Sequence, residues 1–495
     1  MPIDKTSLAA AAMAAAMSLS APCMTAYAQD LPAGTPRQSL DAAIGLEAAG
    51  HTGDHTPMWQ VSNRHGLPSI DNYGLVRAAI SYDNRLAHNW RLETKVDLAG
   101  GIGTDSHFII QQAYADIYFK WLGLSIGSKE EHFSPLDSDL SSGGLVWSGN
   151  ARPIPQVKLG AFDYVQICRR FALKAEVSFG WYTDDNYLRE TVDKGETYVT
   201  GIKYHTKNFY MRIGDPAGHW LWEMGYRLDT QFGGTQHLAD GSTVTLGKGL
   251  RQYWEALIPQ SGSSDANVGE QIAFSGNFLG SELLKLTYQW KGKRVAAYME
   301  NYFDDFSGMG KLNGWDGLWG IEYHNTAKSP ITSIVVEYYQ STDQSGPLHG
   351  SDYDPLCHKT GGADNYYNNY LYQGWTHWGH SMGTPLAVSP MYNSYGTPGF
   401  LHNRVKALHL GIKGDITGQW SYRLLMTFSR SWGTYFKPSI DVAENFSLLA
   451  EVHYAPEKLR GWTFAASFGA DTGDLYGDNA GLQVRVKKEF NILKR

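Results

Sequence analysis

Apolar and polar residues alternate with a period of two along much of this chain. In Phe171–Trp181 every second residue is apolar, and Lys174 and Glu176 lie among the residues between them. The stretch Trp220–Asp229 repeats the pattern, with charged residues opposite the large apolar ones. A period of two predicts β-strands with one apolar and one polar face. Further alternating runs occur at Leu284–Trp290, Ile334–Tyr338, Trp420–Phe428, Phe446–Tyr454 and Trp462–Phe468.

The charges on these strands favour a membrane barrel. A transmembrane barrel strand turns apolar residues toward lipid and polar residues toward the lumen, which keeps its average hydrophobicity low. The composition agrees, with 30 Tyr, 16 Trp, 18% charged residues and a mean hydropathy of -0.35. A large soluble β-sandwich or propeller also produces alternation. The fixed-period repeat of a propeller is absent from the sequence, so the transmembrane antiparallel barrel is favoured.

The length of the chain sets the size of this barrel. No Pro/Ser-rich linker or charge block divides residues 29–495, which are interpreted as one all-β barrel domain. At roughly 25 residues per strand, turns included, they supply roughly 16 to 20 strands. No apolar run within residues 29–495 approaches the roughly 18 residues of a membrane helix, which excludes an α-helical membrane protein. Ser39–Gly50 is able to form a short helix, so a small helical plug in the lumen is left open.

The first 28 residues have the order of a secretory signal peptide. Lys5 precedes an apolar, Ala-rich stretch from Leu8 to Leu19, and Ala26 and Ala28 supply the small side chains that signal peptidase requires. Cleavage is therefore predicted after Ala28. Together with the strand pattern, this segment predicts export to the outer membrane.

Charge, cysteine and histidine content give no support for a cofactor or a nucleic-acid partner. The formal net charge is -7, opposite to that of a nucleic-acid-binding protein. Cys168 and Cys357 are too few for a disulfide scaffold or a zinc site, although one bridge between them stays open. His358, His377 and His380 raise the idea of a metal, but no helix is expected to align them. Ordinary loop histidines are favoured, and no metal is predicted.

The region from Asp352 to His380 is the first candidate for a binding surface. Sugars offer apolar C–H faces and many hydroxyls, so aromatic rings and polar side chains are the chemistry expected to hold them. Long loops of these barrels are extracellular. A self-packed loop that closes the barrel mouth is the equal alternative. The candidate side chains are Asp352, Asp354, Tyr366, Tyr367, Asn368, Asn369, Trp375 and Trp378.

The segment Trp147–Pro155 is the second candidate. Gly149 and two prolines force a defined loop that presents Asn150 and Arg152. Arg152 is able to meet an anionic sugar. An inward constriction, or a structural pair between Arg152 and an acid in the lumen, is the favoured alternative.

Catalysis finds little support in the sequence. His380 and Ser381 are adjacent in a polar stretch, but nucleophilic catalysis also needs an orienting group, and there is no Gly-x-Ser-x-Gly elbow. The chain is therefore predicted not to be an enzyme. A porin-like diffusion channel is the stronger competitor, because charges such as Lys174, Glu176 and Arg227 suit a conducting lumen equally well.

Several stretches resemble the Wzi family of capsule-assembly outer-membrane proteins, in the form common among Bacteroidetes-type bacteria. They are Gln111–Ile117 (QQAYADI), Leu124–Glu130 (LSIGSKE), Leu140–Val157 (LSSGGLVWSGNARPIPQV), Thr183–Asn186 (TDDN), Tyr366–Tyr370 (YYNNY), Gly374–Gly379 (GWTHWG) and Gly383–Leu386 (GTPL). The third stretch is the longest and the most specific. Together they extend the resemblance over most of the chain after residue 28.

This resemblance implies a barrel of about eighteen strands with a small helical element. It implies that the protein holds capsular polysaccharide or another exopolysaccharide at the cell surface without making or breaking bonds. The other expected partners are outer-membrane lipid, lipopolysaccharide and, during biogenesis, the barrel assembly machinery. One departure is the C-terminus, where Phe490 is followed by five more residues, which leaves the register of the last strand open.

Overall fold

Eighteen strands form the architecture seen in a computed structural model of the chain. It describes residues 38–86, 89–131, 135–247, 249–258, 276–303, 311, 313–346, 349–350 and 360–494. The barrel strands are β1 Gln38–Thr52, β2 Tyr73–Arg85, β3 Trp90–Ile102, β4 Phe108–Phe119, β5 Leu122–Ser128, β6 Gln156–Cys168, β7 Phe171–Trp181, β8 Lys203–Ile213, β9 Trp220–Phe232, β10 Asn277–Trp290, β11 Lys293–Phe303, β12 Gly317–Asn325, β13 Ser333–Gln340, β14 Val405–Asp415, β15 Trp420–Gly433, β16 Pro438–Tyr454, β17 Trp462–Gly473 and β18 Asn479–Lys494.

The sheet closes on itself through β1 and β18. Every strand pairs antiparallel with its neighbours in sequence, and β1 pairs with both β2 and β18. Ala42 lies opposite Phe490, and pairing continues to Lys494, which fixes the register of the last strand. Closure leaves no free sheet edge, as a strand structure in lipid requires. The predicted fold class and strand number are confirmed.

Side-chain direction follows the alternation of the sequence. On β9, Trp220, Trp222 and Met224 are exposed on the outer surface, whereas Arg227 and Asp229 are buried inside. The outward apolar residues form the belt that a bilayer covers. The described helices are Met58–Val61 (α1), Asp185–Thr191 (α2) and Leu250–Leu257 (α3), and none is long and apolar enough to cross a bilayer.

Ser39–Gly50 does not form the short helix that the sequence left open, because these residues belong to strand β1. Ile44 and Leu46 point outward and are more than half exposed, whereas Glu47 points into the lumen. Ala, Leu and Glu favour helices in isolation. In a barrel wall the backbone groups need partners on neighbouring strands, and this requirement overrides the local preference.

The two ends of the barrel differ in the length of their connections. Connections after even-numbered strands are short, such as residues 120–121 and 291–292. Those after odd-numbered strands include 53–72, 129–155, 182–202 and 341–404. Because long loops of outer-membrane barrels face the cell exterior, we call the end with the long connections the outer end and the opposite one the inner end.

Long connections fold back into the barrel and fill the outer half of the lumen. We call their described residues 53–72, 135–155 and 360–404 the plug. Trp59, Leu145, Tyr366 and Trp375 from these segments are almost completely buried in one core with lumen-facing wall residues. The plug is therefore built from loops, with α1 as its one-turn helix.

Short strands and one 3-10 turn give the outer loops local order. A three-stranded sheet comprises Tyr198–Thr200, Thr235–His237 and Thr243–Thr245. The two-residue pairs are His349–Gly350 with Thr360–Gly361, Asn368–Asn369 with Gln373–Gly374, and Thr376–His377 with His380–Ser381, and the turn is Pro390–Tyr392.

Wall glycines make room for the plug. A Cβ on Gly481 would lie 2.5 Å from the Gln60 side chain and 2.6 Å from Pro57, and one on Gly411 would lie 2.6 Å from the carbonyl oxygen of Leu140. A methyl group at either position would displace the loop that crosses there. These lumen-facing positions are therefore glycine because plug and wall approach closely.

The predicted cleavage after Ala28 and the residue Cys357 lie outside the described residues. Cys168, at the end of β6, is a free cysteine in the described part of the chain. The signal peptide stays a prediction, and a bridge between Cys168 and Cys357 stays open.

Candidate functional site

Two segments singled out separately in the sequence meet at the outer end of the barrel. Arg152, in the β5–β6 connection, places its guanidinium 4.1 Å from the ring centre of Trp378, in the β13–β14 connection. Its Nε donates a hydrogen bond of 3.0 Å to the carbonyl oxygen of Gly66, and a terminal nitrogen lies 3.7 Å from the Asp105 carboxylate. Burial lowers the pKa of Arg152 to about 10, while Asp105 opposes the shift. The group therefore stays charged at neutral pH.

Trp378 is fixed from three sides. Its backbone N–H donates to the Asp184 carboxylate at 3.0 Å, and its indole Nε1–H donates to the Thr183 hydroxyl at 3.2 Å. The ring of Tyr187, on α2, lies 5.9 Å from the indole ring. With Arg152 on it as well, the partly exposed indole has a defined orientation at the surface.

Beside Tyr187 lies a surface cleft of about 310 Å³. Four separate connections, one of which contains helix α2, supply its walls, so no single stretch of sequence encodes it. We call this feature, together with the adjoining Trp378, the outer cleft. Polar and aromatic groups that line the cleft include Asp71, Asp105, Tyr187, Thr376 and Asn393.

Gly379 is required for the shape of this cleft. Its φ of +73° is a conformation that side-chain-bearing residues rarely adopt. A Cβ there would lie 2.2 Å from the Tyr187 hydroxyl. The glycine thus allows the β13–β14 connection to turn tightly beneath the tyrosine ring.

The outer cleft is acidic at its rim and apolar on its ring faces. Partial burial raises the pKa of Asp105, and Arg152 opposes the rise. Asp71 is exposed next to the same cavity. Carboxylates accept hydrogen bonds from hydroxyl groups, and aromatic rings pack against apolar C–H faces. The arrangement suits a hydroxyl-rich ligand with a flat apolar face.

Most aromatic residues proposed from the sequence lie inside the plug. Trp375 is completely buried and its Nε1–H donates to the Val146 carbonyl oxygen at 2.9 Å. The Tyr367 hydroxyl lies 2.6 Å from that of Tyr302, and Tyr366 stacks on the Tyr302 ring at 4.4 Å. These contacts are those of the self-packed loop that was the alternative for this region. They leave Tyr366, Tyr367 and Trp375 no exposed ring face at the outer surface.

The proposed asparagines also hold loops together. Asn150 donates to the Ser381 carbonyl oxygen at 2.9 Å, and Asn368 donates to that of Phe400, also at 2.9 Å. Asn369 accepts the backbone N–H of Leu371 at 2.8 Å. Asp352 and Asp354 lie outside the described residues. Among the proposed residues in the described part of the chain, Arg152 and Trp378 are the pair brought together beside a surface cleft.

His377 and His380 are buried in the plug, and His358 lies outside the described residues. The ring of His377 contacts the Arg152 carbonyl oxygen at 2.8 Å. Burial lowers the pKa of both histidines to about 3, which keeps them neutral. In the described part of the chain, no cluster of three or more His, Cys, Asp or Glu side chains is arranged to hold a metal ion.

Sequence reasoning missed Asp71, Asp105 and Tyr187. Each lies in a loop or short helix without alternation, and nothing in its immediate sequence marks it as a binding residue. The TDDN stretch, whose last residue Asn186 directly precedes Tyr187, was the sequence feature that pointed to this region.

The described residues define an outer-membrane type of β-barrel whose outer half is filled by its own loops. No protein-family profile matches the chain. A search of curated proteins finds no match either.

Among solved structures the fold is similar to Wzi of Escherichia coli, an outer-membrane protein involved in group 1 capsule assembly and a carbohydrate-binding β-barrel. The TM-score is 0.58 at 12% identity, over 91% of this chain and 85% of Wzi. OpdQ and OccK5 (OpdH), both of Pseudomonas aeruginosa, give TM-scores of 0.49 and 0.48 at 8% and 7% identity. Each covers 92% of this chain, and the matches cover 99% of OpdQ and 98% of OccK5. At such identities the likeness to Wzi shows the fold alone.

Proposed function

We propose that this protein is a Wzi-type barrel that holds a surface polysaccharide at the outer membrane without catalysis. The observation that carries the proposal is the outer cleft, where the oriented Trp378 and Tyr187 lie beside Asp71 and Asp105 at the outer end. The barrel shares its fold with a carbohydrate-binding protein of capsule assembly. The sequence stretches that resemble the Wzi family agree with this role.

The chemistry of the outer cleft defines the kind of glycan it suits. A sugar ring packs its C–H face on an indole or phenol ring, and its hydroxyls donate to carboxylates. The acidic rim repels polymers with a high density of negative charge. The expected ligand segment is therefore neutral or carries an amino sugar.

Arg152 acts in this proposal as a positioning residue. Its side chain is only 6% exposed, so it has little surface to offer an anionic sugar. A cation over an indole face is worth about 0.5–2 kcal/mol, enough to favour one ring orientation. Arg152, a residue of the plug, thus holds the Trp378 ring in one orientation.

The remaining partners follow from the surface of the barrel. Outward Trp, Phe and Leu side chains contact outer-membrane lipid and lipopolysaccharide. The barrel assembly machinery inserts the chain, and nucleic acid is not a partner. Catalysis is not part of the proposal, because it calls only for ring stacking and hydrogen bonding at the outer cleft.

A deletion strain tests the proposal. Cell-associated and released polysaccharide are measured separately after complementation with the wild-type gene, with Trp378→Ala and with Trp254→Ala. Trp254 is a matched control, because it is an exposed tryptophan on α3, away from the outer cleft. We expect unchanged total polymer, release into the medium with Trp378→Ala, and normal retention with Trp254→Ala. Equal retention in all strains, the deletion included, would contradict the anchoring role.

The competing function is a porin-like channel, which the charged lumen also suits. Ion pairs such as Lys285–Glu322, 2.7 Å apart, line the inside of the wall. The conductance of purified protein in planar bilayers separates the two functions. A plugged anchor gives little steady current, whereas open-pore steps in the wild-type protein would favour the channel.

A further inference from the structure

The inner half of the lumen contains a cavity of about 650 Å³. Its walls come from lumen-facing residues of the strands and from plug residues that reach down to them. Thr332, Asp415 and Ser421 line it next to the short connections, so the cavity adjoins the inner end. Ligand pockets for small molecules commonly have volumes of about 300–1,000 Å³.

Three arginines surround one carboxylate on a wall of this cavity. Glu451, on β16, lies 2.9 Å from Arg64 of the plug and 3.0 Å from Arg423 of β15, and it also pairs with Arg485 of β18. His453 lies 2.8 Å from the same carboxylate. All three arginines line the cavity. We call Arg64, Arg423 and Arg485 the arginine triad.

One carboxylate does not neutralise three guanidinium groups. Each guanidinium has five N–H donors. Among the described residues, the Nε atoms of Arg64 and Arg423 are buried without a hydrogen-bond acceptor. Glu47 also lines the cavity, and its carboxylate accepts hydrogen bonds from Tyr73 and Gln483. The triad therefore carries more positive charge than Glu451 and Glu47 together balance.

Other charged side chains of the cavity lie next to the triad. Lys413, which is paired with Arg423 across β14 and β15, lies 2.7 Å from Asp139 and 3.3 Å from Asp137, and Arg423 donates a hydrogen bond of 3.1 Å to the Asp139 carbonyl oxygen. Arg77 lies 2.7 Å from both Asp97 and Glu130. Asp415 lines the mouth. The three guanidinium groups are thus gathered around Glu451 on one wall, with Asp137 and Asp139 at the edge of that wall.

We propose that the arginine triad binds an oxyanion of a small ligand that enters from the inner end, which faces the periplasm in an outer membrane. A carboxylate or phosphate group accepts paired hydrogen bonds from guanidinium forks. The cavity has room for the anionic group together with a sugar-sized body. This site lies at the opposite end from the outer cleft and does not depend on the proposed anchoring function.

Calorimetry on the full-length barrel in detergent at low salt tests the site, with glucuronate, inorganic phosphate and neutral glucose as probes. We expect glucuronate or phosphate to bind and glucose not to bind. Tighter binding of glucuronate indicates an acidic sugar ligand, whereas equal binding of phosphate indicates a general oxyanion site. Binding should also weaken at high salt, because charge attraction carries it.

Variants locate the binding site. Arg423→Gln should weaken oxyanion binding about tenfold or more, because it removes a charged donor. Arg430→Gln is the control, since Arg430 pairs with Glu444 on exposed side chains outside the cavity. Glu451→Gln should strengthen binding, because it removes the competing carboxylate. A purely structural triad would not produce that increase.

Folding is checked by the difference in gel mobility between heated and unheated samples. If Arg423→Gln fails to fold, Arg485→Gln replaces it, since Arg485 is the most exposed of the triad. The proposal is overturned if neither anion binds the wild-type barrel, if glucose binds as well as glucuronate, or if folded Arg423→Gln and Arg430→Gln bind alike.

Discussion

The outer and inner halves of the lumen share one wall and have opposite contents. In the outer half, the plug packs aromatic residues such as Trp59 and Trp375 into an apolar core and presents an acidic cleft to the exterior. In the inner half, charged side chains line an open cavity with an arginine-rich wall. The strands alternate in the same way throughout. The difference follows from where the loops end: they cover the wall in the outer half and leave its charged side chains open to the lumen in the inner half.

Removing a carboxylate that holds the plug to the wall between the two halves should have the largest effect on stability. Glu337, on β13, accepts hydrogen bonds from the Ser141 hydroxyl at 2.6 Å, the Ser142 backbone N–H at 2.7 Å and the Tyr298 hydroxyl at 2.5 Å. Glu337→Ala leaves these donors without their acceptor, so we expect about 4 kcal/mol of destabilisation. Urea unfolding followed by tryptophan fluorescence measures it.

The same variant should release the β5–β6 connection and raise the conductance in planar bilayers. Glu444→Ala is the control, because Glu444 forms an exposed pair with Arg430 and should cost about 0–1 kcal/mol. Equal unfolding midpoints for the two variants would show that Glu337 does not hold the plug.

Filling the space beneath α1 should have the next largest destabilising effect. Gly481→Leu places a side chain where Gln60 and Pro57 now lie, and overpacking of this kind costs about 3 kcal/mol. The displaced plug should become sensitive to added protease in intact cells. Gly418→Ala is the control, since a Cβ at Gly418 meets nothing within 4 Å. Proteolysis of both variants at the same rate would contradict the tight fit.

A pH series sharpens the description of the outer half. Burial raises the pKa of Asp184 to about 7, compared with about 4 in an unfolded chain. The folded protein therefore holds this proton more strongly, and the stability it contributes is full below pH 4 and lost as the pH rises through 7. Asp184→Asn lacks this dependence and keeps an acceptor for the Trp378 N–H. It should gain about 4 kcal/mol over wild type at pH 8 and almost nothing at pH 4. A difference independent of pH would contradict it.

The smallest expected effect concerns the orientation of Trp378. Trp378→Phe keeps a ring over Arg152 but loses the Nε1–H bond to Thr183. The expected cost is about 0.5–1 kcal/mol in unfolding, with polysaccharide retention between those of wild type and Trp378→Ala. Trp254→Phe, on exposed α3, should be neutral. Retention at the Trp378→Ala level would mean that the N–H bond, not the ring, is what matters.

The sequence predicts the wall of this barrel well because each wall residue obeys a local rule. Phe171–Trp181 alternates as a strand should, and it is strand β7. Its apolar positions face lipid and its charged positions face the lumen, so the surroundings of each side chain follow from its place in the alternation. Ser39–Gly50 was left open as a possible helix because its Ala-rich composition hides the alternation of Ile44 and Leu46. Its conformation is determined by pairing with β2 and with β18, the last strand of the barrel.

The candidate site was harder to predict because it depends on contacts between distant loops. Arg152 and Trp378 were each singled out, but no local sequence pattern predicts that the guanidinium group packs on the indole ring. Tyr366 and Trp375 are residue types that are typical of sugar-binding surfaces, but both are buried in the core of the plug. Composition alone does not separate these uses of an aromatic side chain, and the glycan role of the outer cleft stays a prediction.

The docking of α1 has a consequence for how the chain is assembled. This helix follows β1, yet Trp59 donates to Thr427 of β15, Met58 to Asp471 of β17 and Gln60 to Ser467 of β17. The binding surface for an early segment is thus made last, next to the seam where β18 joins β1. Helix α1 therefore has no docking surface until β15 and β17 have joined the barrel, and a chain shortened before β17 loses this attachment of the plug as well as part of its wall.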